Sequence, residues 1–128
     1  MTIAFWCVLV AIMLPYVWFG VANSKAGKLR SNNSARDFFE VAQGIAKRAL
    51  GAHLNSFESS IGFIAAVLVA HLAHAPQGRI DVLALLYIVY IVFRVLYGFL
   101  YLADKASLRS MAWFAGFVCT VALFFVGL

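Results

Sequence analysis

The chain has 128 residues, 65% of them hydrophobic and only 12% charged, with a net charge of +5 and a mean hydropathy of +0.95. That balance excludes an ordinary soluble domain and makes a lipid bilayer the natural solvent. The basic residues border apolar runs and come with no nucleic-acid-binding motif, so topology and anionic lipid account for them and no nucleic-acid partner is expected.

A span needs about 20 mostly apolar residues, and four candidates predict an all-α integral membrane protein: residues 3–22, 48–73, 80–102 and 108–127. They use nearly the whole chain, which reads as one transmembrane domain over residues 1–128, an antiparallel four-helix bundle. The first candidate is uncharged from Thr2 to Ser24 and lacks the basic leader of a cleaved signal peptide, so it is expected to remain as a span. Pro15 inside it is expected to bend the helix mildly. Lys25, Lys28, Arg30, Arg36, Lys47 and Arg48 crowd the connection between the first two spans, against only Asp37 and Glu40. The positive-inside rule makes that loop cytoplasmic and puts both termini on the far side, with the Pro76–Gly78 turn outside and the Asp104–Ser107 turn inside. Within the loop, Phe38, Val41, Ile45 and Ala49 keep helical spacing, which predicts a helix running from Ala35 into the second span. A glycosylation sequon at Asn32-Asn33-Ser34 has no use in a cytoplasmic loop.

Two stripes carry the chemistry. Arg48, Gly51, Asn55, Glu58 and Gly62 share one face of the second span, and Tyr87, Tyr90, Arg94, Tyr97 and Tyr101 share one face of the third, each stepping by three and four residues. Glu58 lies ten residues past Arg48 and Arg94 ten before Asp104. At about 1.5 Å per residue both sit roughly 15 Å from the cytoplasmic border, near mid-bilayer. An ion in hydrocarbon is costly unless it is paired or faces a polar cavity. A Glu58–Arg94 ion pair is therefore expected, with Asn55, Tyr97 and Tyr101 around a pocket and with Glu58→Gln markedly disruptive. The plainer alternative is a buried clamp between two helices with Asn55 as an interhelical hydrogen bonder.

Other residues read as packing or anchoring. Cys7 and Cys119 are single apolar-like thiols inside spans. His71 and His74 are three apart, but only Asp81 offers a third ligand, and His53 lies off the polar face, so no metal is expected. Arg109 and Ser110 open the fourth span where topology alone asks for a basic residue. Gly-rich phosphate loops, nucleophile elbows and zinc-protease signatures are missing from the sequence.

Arg48, Asn55 and Glu58 on the second span, followed by Arg94, Tyr97 and Tyr101 on the third and then Arg109-Ser110, resemble the MAPEG family, the membrane-associated proteins of eicosanoid and glutathione metabolism. The resemblance covers most of the chain, and the bacterial members are the most similar. It implies a homotrimer in a bacterial inner membrane, with glutathione held between subunits in the cytoplasmic half of the bilayer. It further implies that Arg48, Asn55, Glu58, Arg94, Tyr97 and Tyr101 contact glutathione, helped by Arg30, and that Arg109 stabilises its thiolate, with Ser110 beside it. The chain departs from the family in four respects: Gly51 stands where many members carry an arginine, Leu54 where some carry another basic residue, Trp113 where one branch has tyrosine, and Gly62-Phe63 where a proline is common.

The expected function is a glutathione-dependent transferase or peroxidase acting on a hydrophobic small molecule that partitions into lipid. A non-catalytic lipid-binding or scaffold member of the same fold is the alternative. A transporter subunit would use the same buried ions, but the paired repeats and broken helices of such proteins are lacking.

Overall fold

Backbone in hydrocarbon has no water to bond, so its N–H and C=O groups must be satisfied within the segment, which a helix does. A computed structural model of the chain describes residues 2–26, 37–73 and 77–127, and these are helical: α1 (Ile3–Ala26), α2 (Phe38–Val41), α3 (Gly44–Leu72), α4 (Gln77–Leu102) and α5 (Ala106–Gly127). The four long helices are each long and apolar enough to cross a membrane. They extend the expected spans by two to four residues, to Ala26 in the first and back to Gly44, Gln77 and Ala106 in the others. Arg30, the 32–34 sequon, His74 and Pro76 lie outside the described residues.

Residue size decides how the helices meet. The buried line on α1 is mostly small, Ala4, Cys7, Ala11, Ala22 and Ala26, and it lets α1 lie close along α3. Ala22 and Ala26 pack with Ala46 and Ala49, whereas Ala4 and Cys7 pack with Ala66 and Ala70, so the two helices run antiparallel. The other close pairing joins α4 to α5, and α3 bridges the two pairs. Phe63 stacks on Tyr90 with ring centres 3.9 Å apart, the tightest aromatic contact between α3 and α4. Outward surfaces are aliphatic and aromatic, with Ile61 72% and Phe125 72% exposed, as lipid-facing positions require.

The helix expected to run unbroken from Ala35 is interrupted. Ala42 and Gln43 are extended (ψ 142° and 163°) and Gly44 has φ +59°, so α2 is a separate single turn. Glycine reaches the left-handed region without the penalty a Cβ imposes, and the chain turns there. Phe38 is driven into the alanine surface of α1 and α3, while Val41 and Ile45, expected on the same helical face, are exposed.

The α4–α5 turn is tight. Asp104 adopts φ +59°, and the Asp104 and Lys105 N–H groups donate to the carbonyls of Tyr101 and Leu100 at 3.1 and 3.0 Å. This Schellman-type stop satisfies carbonyls that the helix end would otherwise orphan. It also brings the end of α4 and the first turn of α5 side by side.

Trp18 of α1 is 2% exposed and lies over Gly98 of α4, where a Cβ would collide with its indole ring. Overpacking at such a notch costs about 1–3 kcal/mol. Gly98→Ala should therefore lower thermal stability in detergent by that amount, although alanine is the better helix former. Gly20→Ala, where a Cβ meets nothing within 4 Å, is the control expected to leave the unfolding temperature unchanged or slightly raised.

Candidate functional site

Arg94 is 2% exposed, between α3 and α5, with its Cδ 3.6 Å from the place a Cβ would occupy on Gly116. Its Nη2 donates to Asn55 Oδ1 at 2.7 Å, and Asn55 Nδ2 donates in turn to Glu58 Oε2 at 3.3 Å. The expected direct Glu58–Arg94 ion pair is thus replaced by a relay through Asn55. The reason is rotational: Asn55 is half-buried towards α4, whereas Glu58, three residues on, turns to the open side and is exposed. An amide offers an acceptor to the arginine and a donor to the carboxylate at once. Both charges keep a hydrogen-bond partner without sharing one buried point.

Below this relay an aromatic ladder descends α4. The Arg94 guanidinium lies over the Tyr97 ring at 4.3 Å, Tyr97 meets Tyr101 edge-to-face at 5.8 Å, and the Arg109 guanidinium lies over the Tyr101 ring at 4.3 Å. Four of the residues singled out from sequence therefore form one continuous stack. Tyr101 takes the room left by Gly51, since a Cβ there would run into its phenol group. Arg48 closes the α4 end by donating Nε to the Leu102 carbonyl at 3.1 Å, a favourable place for a cation near a helix C-terminus. Ser110, the fifth residue of α5 and next to Arg109 in sequence, is exposed.

A cavity of about 280 Å³ opens between α3 and α5, lined by Asn55, Glu58, Ser59, Gly62, Trp113, Phe117 and Thr120. Trp113 and Phe117 form its flat apolar wall, stacked at 5.3 Å with ring planes 4° apart. Ser59 shares a 2.7 Å hydrogen bond with Tyr90 and ties the floor to α4. Of these residues only Asn55 and Glu58 were singled out from the sequence as site residues. Trp113, Phe117 and Thr120 do step by four and three along α5, one turn beyond Arg109, but among so many apolar residues that spacing carries no contrast.

The histidines and cysteines stand apart. His53 donates Nδ1–H to the Pro15 carbonyl at 2.7 Å and sits among Phe19, Phe39 and Phe57, and His71 donates to the Val67 carbonyl at 2.8 Å against Phe5. Among the described residues no three His, Cys, Asp or Glu side chains gather into a metal site. Cys7 and Cys119 are free and buried.

The relay ranks two substitutions. Asn55→Leu leaves the buried Arg94 charge without its acceptor and should destabilise the protein by about 2 kcal/mol, the scale of a lost hydrogen bond to a charged group. Glu58→Gln keeps an acceptor for Asn55 and should cost markedly less; thermal unfolding of both variants in the same detergent measures the order, and the opposite ranking would reinstate a direct ion pair.

No curated protein and no solved structure matches the chain. The family model described as "MAPEG family" matches residues 3–128. With four membrane-spanning helices and a match over essentially its whole length, this integral membrane protein belongs to the MAPEG family.

Proposed function

We propose that the protein is a glutathione-dependent transferase or peroxidase that acts on lipophilic electrophiles, with glutathione bound between the subunits of a homotrimer. The observation that carries this reading is the exposed Glu58 carboxylate, linked through Asn55 to a buried arginine in the middle of an apolar span. A carboxylate on a lipid-facing surface is expensive. It calls for a cover that brings a cation, and the ammonium of glutathione between two subunits supplies one.

The remaining charges complement the rest of that ligand. Glutathione presents two carboxylates and a thiol. Arg48 and Arg109, with Arg30 from the first loop, suit the carboxylates and the developing thiolate, and Tyr97 and Tyr101 line the same side. A free thiol has a reference pKa of about 8.5, and an adjacent guanidinium favours the thiolate, which is the nucleophile. In conjugation the thiolate sulfur forms a bond to the electrophilic carbon, and the leaving group departs with its electron pair. In peroxide reduction it attacks one oxygen and breaks the O–O bond, releasing an alcohol once protonated. The sulfenic acid so formed condenses with a second glutathione to the disulfide and water. Ser110, beside Arg109, is positioned in sequence to hydrogen-bond the sulfur. The apolar wall of Trp113 and Phe117 suits a substrate arriving from lipid. The membrane is the bacterial inner membrane, with both termini on the non-cytoplasmic side and the site in the cytoplasmic half.

The family's other mode, lipid binding without catalysis, is favoured by one specific feature: Leu54 is exposed and apolar on the face where members carry a basic residue. The two readings separate in one experiment. Purified protein in detergent should bind glutathione by calorimetry and develop the ultraviolet absorbance of a thiolate, and Arg109→Ala should lose that absorbance and at least about tenfold in conjugation rate, as expected for loss of about 1.4 kcal/mol of charge stabilisation. No glutathione binding, with lipid held in the α3–α5 cavity, would leave the lipid-binding reading standing instead.

A further inference from the structure

We infer that Tyr101 is a positioning residue for Arg109, and that Gly51 is what allows it to be one. The starting point is an electrostatic mismatch. Arg109 lies in the first turn of α5, and a helix N-terminus carries partial positive charge that disfavours a cation. Its backbone N–H donates to the Lys105 carbonyl at 2.9 Å, which fixes the main chain but not the side chain. Arginine has several free torsions, and an unheld guanidinium here would swing away into water and headgroups.

The structure supplies one hold. The guanidinium lies 4.3 Å from the centre of the Tyr101 ring, over its electron-rich face, the geometry of a cation–π contact. That ring is fixed from two sides. Tyr97 presses edge-to-face at 5.8 Å, and Arg94 in turn holds the Tyr97 ring from above at 4.3 Å. Behind the ring, Gly51 leaves the hollow that the phenol fills, and any side chain at residue 51 would push the ring out. The Schellman-type turn at Asp104 then fixes the separation of Tyr101 and Arg109 along the chain. Gly51 is thus the hollow that seats the Tyr101 ring, and through that ring it sets where the Arg109 charge lies.

This inference rests on the proposed function for what Arg109 does, but not for where Arg109 is held, and its tests divide accordingly. The first is a ligand-free double-mutant cycle on the unfolding temperature in detergent, using Arg109→Ala with Tyr101→Leu and with Tyr101→Phe. The Leu pair should be non-additive, the double variant melting little below the lower single variant. Tyr101→Phe keeps the ring face, so Arg109→Ala should lower the unfolding temperature in that background as it does in the wild type. Gly51→Ala should behave as Tyr101→Leu does, which gives a second route should Tyr101→Leu fold poorly.

The second test titrates the thiolate absorbance of bound glutathione. Tyr101→Leu and Gly51→Ala should move its midpoint up by about one pH unit, tenfold less thiolate at a given pH. Tyr101→Phe should leave the midpoint in place even where the lost hydroxyl weakens glutathione affinity. Additive losses in the Leu cycle would overturn the inference whatever the titration gives. Non-additive losses with no thiolate signal in the wild type would sustain the positioning of Arg109 and remove the glutathione reading instead.

Discussion

A guanidinium enclosed by apolar helices imposes its needs on everything around it. Arg94 has 2% of its surface exposed, and an ion in that setting persists only with hydrogen-bond partners and polarisable neighbours. Asn55 supplies the first and the Tyr97 ring the second. Both lie on elements that must hold a fixed rotation about their axes for this to work. The small-residue line of α1 and the glycine notches of α3, α4 and α5 supply that rotation by letting large side chains key into neighbouring backbones. Tyr101 against Gly51, Trp18 against Gly98 and the Arg94 stem beside Gly116 are three cases of one packing device.

Much of this was legible in the sequence because lipid simplifies the reading. Composition alone required helices, and the length of the mostly apolar runs located all four to within about a turn. Proximity was legible too: counting residues from the last border charges puts Glu58 and Arg94 at one depth, and a single residue, Asn55, links them. Rotation was not. Periodicity tells which residues share a face, but a face covers roughly 100° or more. Asn55 and Glu58 fall on opposite sides of the line between buried and exposed within that arc. Only packing against α4 and α5 decides which of them meets Arg94.

The same limit explains the other departures. Phe38, Val41, Ile45 and Ala49 have perfect helical spacing, yet Gly44 allows a left-handed turn between them, and the alanine surface of α1 buries Phe38 and Ala49 while Val41 and Ile45 stay exposed. The pairing of Trp113 and Phe117 into a cavity wall is not legible, because an apolar residue in an apolar span carries no contrast. Gly51 was legible as a member of the polar stripe and as a departure from the family, not as a hollow. That the hollow has a tenant depends on a tyrosine fifty residues away in sequence and on the turn that brings Arg109 over it.

The arrangement of charge is lopsided in a way the single chain does not resolve. Its cation is inside the bundle and hydrogen-bonded, whereas the carboxylate at the other end of the relay stands on an otherwise apolar surface beside Leu54, Phe57 and Ile61. Had the two formed a direct buried pair, the site would be electrostatically complete and could be a clamp and nothing more. Because Asn55 separates them, the arginine is stabilised without consuming the carboxylate. A half-used carboxylate next to a cavity, with Arg109 held one turn from that cavity's aromatic wall, has the form of a site built to be finished by something else. The ammonium of a zwitterionic ligand and the surface of a second subunit are the two things that would finish it, which is why the proposed binding site lies between chains rather than inside one.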